Sequence, residues 1–149
     1  MGRFSIYSYN IFFSETYTQK VTLTVDRTMP VTEGERLGLT CSVTGLPKIV
    51  QFSRSSESIV YWITMDDRCD KIQHNKTLYN AICDRNKSQF YLEILHVNMT
   101  FYKNNLTCGA QYDVITGGTE SVSQSVIIEI SSRRYNLYHR LTFHCLINR

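Results

Sequence analysis

The 149-residue chain lacks several features that would assign it to a common class of protein. It has no run approaching the roughly 18 apolar residues that a membrane-spanning helix needs, so we expect a membrane connection only through a segment absent from this chain. It has no C-x-x-C pair, the commonest start of a structural zinc site. No internal repeat or low-complexity segment occurs, and no window of a dozen residues shows the 3.6-residue apolar stripe of a helix.

Motifs that carry chemistry are also missing. There is no G-x-S-x-G nucleophile elbow, and Gly117-Gly118 is not followed by the Lys-Ser/Thr of a phosphate-binding loop. Two clusters of polar residues fail as metal sites, since one does not fit the calcium-loop pattern and the other lacks a fourth zinc ligand. These clusters are Asp66, Asp67 and Asp70, and His139, His144 and Cys145. We therefore expect no enzymatic activity, no metal and no cofactor.

Charge is scarce and unevenly distributed. Charged residues make up 19% of the chain and the net charge is +3. The segment 131–149 carries four arginines and no acidic residue, whereas residues 1–130 hold 12 basic against 13 acidic residues. The upstream part is thus close to neutral, and we expect it not to bind nucleic acid.

The chain is rich in segments whose apolar residues alternate with polar ones, the signature of half-buried strands. Two further segments are β-branched and aromatic, which also favours strands. Seven or more short strands separated by turn residues predict an all-β, two-layer sandwich. The alternating segments are 21–25, 37–43, 90–94, 106–112 and 126–130, and the other two are 49–52 and 59–64.

Two of the five cysteines sit at inward-facing positions of alternating segments. Cys41 and Cys108 are 67 residues apart in the sequence, and a disulfide between them would join two packed sheets. Closing a loop of this length stabilises a fold by about 4 kcal/mol in the chain-entropy model. Such a bridge implies an oxidising compartment.

Four N-x-[ST] triplets agree with that compartment. The triplets begin at Asn75, Asn86, Asn98 and Asn105, and they accept glycans only in chains that enter the secretory route. We therefore expect an extracellular protein, secreted or at the cell surface. Residues 1–17 are either a degenerate signal or leader segment, an incomplete N-terminus or an ordinary leading strand.

At this point the sequence resembles an immunoglobulin-superfamily domain. Val31 to Cys41 (VTEGERLGLTC) is similar to that family's A′–B hairpin, Phe90 to Ile94 to strand E, and Leu106 to Ala110 to strand F. The resemblance spans about residues 18–130 and implies an immunoglobulin-like, two-sheet Greek-key sandwich of variable or intermediate type. Residues 131–149 are expected to form a disordered basic tail.

Two departures from the family pattern stand out. The family carries a Trp on strand C about a dozen residues after the first Cys, where this chain has Phe52. Either Phe52 is the core aromatic and Trp62 lies on strand C′, or Trp62 is itself the core residue after a long B–C loop. The tyrosine before the second Cys is also missing, since positions 102–106 read Tyr-Lys-Asn-Asn-Leu.

The remaining cysteines leave alternatives open. Cys69 and Cys83 fall where strands C′ and D would lie, and a bridge between them would add about 3 kcal/mol by the same model. Otherwise one or both stay free or pair with another chain. Cys145 is then a free thiol or forms an interchain bridge.

Recognition is the function that remains, with a protein or a glycan as partner. We expect binding residues in the F–G hairpin, whose tip is supported by glycines, and in an exposed aromatic set of Tyr61, Trp62 and Tyr91. The hairpin residues are Tyr112, Asp113, Val114, Ile115 and Thr116. Glycans would cover the D–E edge and the E–F end, leaving the B–C and F–G end free. The chain would belong to an adhesion or immune-type receptor; the alternatives are a secreted single-domain decoy and a spacer in a longer ectodomain.

Overall fold

The computed structural model describes residues 18–65, 68–84, 86 and 88–132. Within these residues the chain forms eleven β-strands and a short 3-10 helix, Met99–Phe101. The predicted leader, Cys145, Asp66, Asp67 and nearly all of the predicted tail lie outside the described residues. The strands are β1 (Val21–Val25), β2 (Val31–Thr32), β3 (Leu37–Val43), β4 (Ile49–Arg54), β5 (Glu57–Ile63), β6 (Asp70–Gln73), β7 (Tyr79–Asp84), β8 (Gln89–Ile94), β9 (Asn105–Asp113), β10 (Thr119–Ile127) and β11 (Ile130–Ser131).

The strands form two antiparallel sheets that pack face to face. One has four strands in the order β1-β3-β8-β7, and the other has five in the order β10-β9-β4-β5-β6. A small third sheet pairs β2 with β11 in parallel. The predicted all-β sandwich is therefore confirmed.

The last predicted strand, 126–130, is divided. Ile127 ends β10, because its partner Asn105 is the first residue of β9, and one further backbone bond joins Ile128 N to Asn104 O at 3.2 Å. Glu129 O then accepts a hydrogen bond from Val31 N at 2.9 Å, and the chain continues as β11 beside β2. The alternation of apolar residues across 126–130 concealed this change of partner because both pieces bury alternate side chains.

A disulfide joins the two sheets through the centre of the core. Cys41 on β3 and Cys108 on β9 are both fully buried, with their Cα atoms 6.2 Å apart. This bond was predicted because both cysteines stand at inward-facing positions of alternating segments, and the prediction is confirmed. Around it, the alternate residues of β3, β8 and β9 form a continuous apolar layer between the sheets.

Two aromatic residues pack in the core next to this disulfide. Phe52 lies on β4, directly opposite Cys108, and is fully buried. Trp62 lies on the next strand, β5, but its side chain also enters the core. Its ring lies 6.1 Å from that of Phe52, edge to face, and 5.2 Å from that of Phe90. Phe52 and Trp62 therefore both belong to the core, although they lie on different strands.

Side chains and a second disulfide close the edge of the sandwich where β6 and β7 meet. Cys69, just before β6, is bonded to Cys83 on β7, and this predicted bridge is also confirmed. The free backbone edge of β7 is covered from β6, because Lys71 Nζ donates to Ala81 O at 2.8 Å and Gln73 Nε2 to Tyr79 O at 2.6 Å. Capped edges of this kind do not offer a ladder for strand addition.

Candidate functional site

Three connections meet at one end of the sandwich, which we call the loop end. They are 44–48 between β3 and β4, 64–69 between β5 and β6, and 114–118 between β9 and β10. They meet because the strands that carry them finish together: Ile49 lies opposite both Ile63 and Gln111 in the five-stranded sheet. Residues 66 and 67 are outside the described part of the middle connection.

Hydrogen bonds join the 44–48 connection to the 64–69 connection and to the end of β9, the strand that leads into the 114–118 connection. Lys48 N donates to Gln111 O at 2.7 Å, and Thr64 N donates to Lys48 O at 3.0 Å. The Thr64 hydroxyl donates to Pro47 O as well. These bonds involve backbone groups of two connections and of one strand, so 44–48, the start of 64–69 and the end of β9 form one rigid platform.

Tyr112 supports this platform from below. Its ring is buried, and its hydroxyl donates to Thr44 O at 2.9 Å, linking β9 to the start of the 44–48 connection. Burial raises the pKa of the Tyr112 phenol above its usual value. We predicted Tyr112 as an aromatic offered at the hairpin tip, and its burial corrects that expectation. The sequence already held the signal, because Tyr112 continues the inward alternation of Cys108 and Ala110.

The other predicted hairpin residues have different environments. Asp113 is largely exposed and its carboxylate lies 3.2 Å from Lys48 Nζ, an exposed ion pair that contributes little stability but joins the hairpin to the 44–48 connection. Val114 is half-buried, and Thr116 is exposed. Ile115 stands fully exposed at the tip.

Two apolar residues at the loop end were missed by the sequence reasoning. Leu46 is 87% exposed and Met65 is 48% exposed, and both lie on connections that neighbour the hairpin. With Ile115 they put one large apolar side chain on each of the three connections. The sequence offered one signal for Leu46, an apolar residue between the turn formers Gly45 and Pro47.

A cleft of about 510 Å³ opens at the loop end, between Leu46 and the base of the hairpin that carries Ile115. Within it, Gln19 Oε1 is buried and has no hydrogen-bond partner among the described residues. The cleft is lined by Gln19, Gly45, Leu46, Tyr112 and Asp113.

The aromatic set predicted as a second binding surface is not an exposed group. Trp62 is only 1% exposed and belongs to the core, so its prediction as a binding residue is wrong. Tyr61 and Tyr91 are half-buried and lie on different sheets, Tyr61 on β5 and Tyr91 on β8. They therefore cannot act as one patch.

The glycosylation triplets lie at both ends of the sandwich. Asn75, Asn98 and Asn105 lie at the end opposite the loop end, and Asn75 and Asn105 are exposed. Asn86 is exposed in the turn between β7 and β8, which reaches the loop end: Val43 N donates to Ser88 O at 3.0 Å. The expectation that glycans at all four triplets would leave the loop end free is thus corrected for Asn86.

Within the described residues no three His, Cys, Asp or Glu side chains lie close enough together to hold a metal ion. No helix in the same part of the chain is long and apolar enough to cross a membrane. No protein-family model matches the chain, and no curated protein matches it.

Proposed function

We propose that this chain is an extracellular immunoglobulin-like recognition domain of variable type that binds a protein partner through its loop end. The strand order supports the family. In variable-type domains strands A, B, E and D form one sheet and G, F, C, C′ and C″ the other, and the orders β1-β3-β8-β7 and β10-β9-β4-β5-β6 correspond to these strand by strand. The Greek-key connectivity is part of this proposal.

The two disulfides support an extracellular site of action. They join residues that are separated in the sequence, Cys41 with Cys108 across 67 residues and Cys69 with Cys83 across 14. Bonds of this kind persist in oxidising compartments and are rare in the cytosol. Glycan attachment at the exposed triplet asparagines would be the accompanying mark of the secretory route.

The observation that carries the recognition proposal is the exposure of Leu46 and Ile115 at one end of the sandwich, where the 44–48 connection is bonded to β9, the strand that leads into the hairpin of Ile115. Burying an aliphatic side chain of this size against a partner stabilises a complex by about 1.5–3 kcal/mol. Because the platform beneath is already ordered by Tyr112 and the inter-loop hydrogen bonds, little ordering entropy opposes binding. The buried Gln19 Oε1 adds an acceptor that a partner's N–H or O–H could satisfy.

The loop end also separates the alternatives. A spacer domain gains nothing from apolar side chains on three adjacent loops, which favours recognition over spacing. A secreted decoy or inhibitor would use the same loop end as a receptor domain. Those two differ in what lies outside this chain, and the same binding experiment applies to both.

The test uses the domain as an oligomerised probe against an array of cells, each displaying one extracellular protein. We expect at least one specific partner whose binding falls by about 100-fold or more in the double variant Leu46→Asp/Ile115→Asp, since two anchors are lost. The matched control is Ile82→Asp, which changes an apolar side chain of 56% exposure on the outer face of the four-stranded sheet. Equal loss in both variants, or none in the double variant, would refute the assignment to the loop end.

A further inference from the structure

The outer face of the five-stranded sheet carries a groove that the loop end does not use. Its volume is about 170 Å³, and it runs across the three strands β4, β9 and β10. None of the described residues that line it is ionisable, although charged side chains flank the sheet elsewhere. Its lining consists of Ile49, Gln51, Ser53, Thr107, Gly109, Ala110, Gln111, Ser121, Val122 and Ser123.

The groove exists because Gly109 lies in the middle of β9. On the outer face it stands between Gln51 of β4 and Ser123 of β10 in the register. A Cβ placed there would lie 3.6 Å from Ser123 Cβ, an ordinary contact, and the backbone does not need a glycine conformation. Glycine in a strand interior costs roughly 0.5–1 kcal/mol relative to alanine, and it often marks close approach of a ligand.

The groove also contains hydroxyl groups that the fold leaves without partners. Ser53 is only 9% exposed, and its hydroxyl has no hydrogen bond to the described residues. Opposite it in the register is Ser58, which does not line the groove and whose Oγ is buried without a partner in the described part of the chain. Ser53 lines the groove and its Oγ is not fully enclosed, so this hydroxyl can hydrogen-bond to a ligand that enters there.

Polar groups along the walls match such a ligand. Gln51, Gln111 and Ser123 present amide and hydroxyl groups with no side-chain partner among the described residues, whereas Thr107 and Ser125 bond to each other at 2.7 Å. Amides and hydroxyls both donate and accept. Beside them, the half-buried ring of Tyr61 lies opposite Gln51 and offers an amphipathic surface next to the polar groove.

We propose that this groove binds a neutral saccharide. A sugar ring supplies hydroxyls that can donate to and accept from the groove residues, and its C–H face can lie on Tyr61. The lack of ionisable lining argues against sulfated, phosphorylated or otherwise acidic ligands, because nothing there would neutralise them. The groove is smaller than the roughly 300–1,000 Å³ typical of drug-sized pockets, which fits a single ring of a longer chain.

A second copy of the chain is the competing occupant of this face. A stable dimer typically buries about 1,600 Å² around an apolar centre. Here the centre of the face is a groove that contains hydroxyl and amide groups. The flat sheet face of a second copy would therefore bury these polar groups without forming hydrogen bonds to them. The saccharide proposal is independent of the protein-recognition role assigned to the loop end.

Saturation-transfer NMR tests the proposal with the intact chain. The probes are neutral tetrasaccharides of glucose, mannose and galactose, together with sulfated forms of the same sugars. We expect saturation transfer to at least one neutral probe and none to its sulfated form. Gly109→Val, which fills the groove, should weaken binding at least tenfold, and Ser53→Ala should weaken it several-fold. Ser42→Val, a matched change on the outer face of the four-stranded sheet, should leave it unchanged.

Three results would overturn the proposal: no transfer to any neutral probe, equal transfer to the sulfated probes, or wild-type binding by Gly109→Val. If Gly109→Val does not fold, Gly109→Ala replaces it, because the added methyl meets only an ordinary contact. Analytical ultracentrifugation is run in parallel. A dimer that Gly109→Val disrupts, without saccharide binding, would assign the face to a second copy and reject the saccharide.

Discussion

Trp62 provides the sharpest test of the division between core and recognition surface. Its indole is almost wholly buried and packs against the rings of Phe52 and Phe90. Replacing a buried Trp by alanine removes apolar contacts and leaves a cavity, at a cost of about 3–5 kcal/mol. Small domains have a total free energy of unfolding of roughly 5–15 kcal/mol, so Trp62→Ala should remove a large share of it.

The assay is equilibrium urea unfolding followed by far-UV circular dichroism, since the variant has no Trp to report by fluorescence. Tyr61→Ala is the matched control, because the neighbouring ring is half-buried on the outer face; its loss should cost about 1 kcal/mol. A double-mutant cycle that combines Trp62→Ala with Phe52→Leu should give a coupling energy of about 0.5–1.5 kcal/mol for this edge-to-face pair of rings. A cost below 1 kcal/mol for Trp62→Ala would refute the core assignment.

Three further predictions concern the edges, the loop platform and a turn. Replacing Cys69 and Cys83 by serine should lower the free energy of unfolding by about 3 kcal/mol, from the 14-residue separation; an unchanged urea midpoint would contradict this. Because the pKa of Tyr112 is raised by folding, the neutral phenol stabilises the folded state fully below the unfolded pKa of about 10. This contribution to the free energy of unfolding is lost as the pH rises through the folded pKa. Stability should therefore fall above about pH 10, and Tyr112→Phe should reduce that fall while costing about 1 kcal/mol at pH 7; identical pH profiles would count against it. Ser56 has φ of 75° in the β4–β5 turn, so Ser56→Gly should raise the unfolding free energy by about 0.5–1 kcal/mol, and a lower melting temperature would show the reasoning to be wrong.

Period-two alternation was enough to predict most of the sandwich. In β3 and β9 every second residue is apolar, so the inward parity of Cys41 and Cys108 could be read directly and the inter-sheet disulfide followed. The same parity placed Tyr112 inside, although its position near a hairpin tip suggested exposure. In such strands the alternation is a better guide than distance from a turn.

Trp62 was harder to place because β5 does not alternate cleanly. Ile59 and Val60 are consecutive and both buried, and the register with β4 shifts between Phe52 and Ser53. A bulge changes which residues face inward after it. A run such as IVYWIT therefore indicates a strand without indicating which of its aromatics enters the core.

The loop end and the groove depend on contacts that no local pattern encodes. Leu46 is exposed on one of three connections that lie at the same end of the sandwich, and the register of three strands decides which connections those are. Asn86 lies at the same end because the turn between β7 and β8 is bonded to the end of β3 through Val43 N and Ser88 O. Gly109 reads in the sequence as one more outward position of β9, and only the opposing Gln51 and Ser123 turn it into a groove.

Site-specific photo-crosslinking tests the central claim, recognition through the loop end, most directly. A photo-reactive benzoylphenylalanine is placed at position 115 or, as the control, at position 82, and the secreted domain is bound to partner-bearing cells before irradiation. The account predicts a discrete crosslinked product from position 115 and none from position 82. The same product from both positions, or a product from position 82 alone, would contradict it.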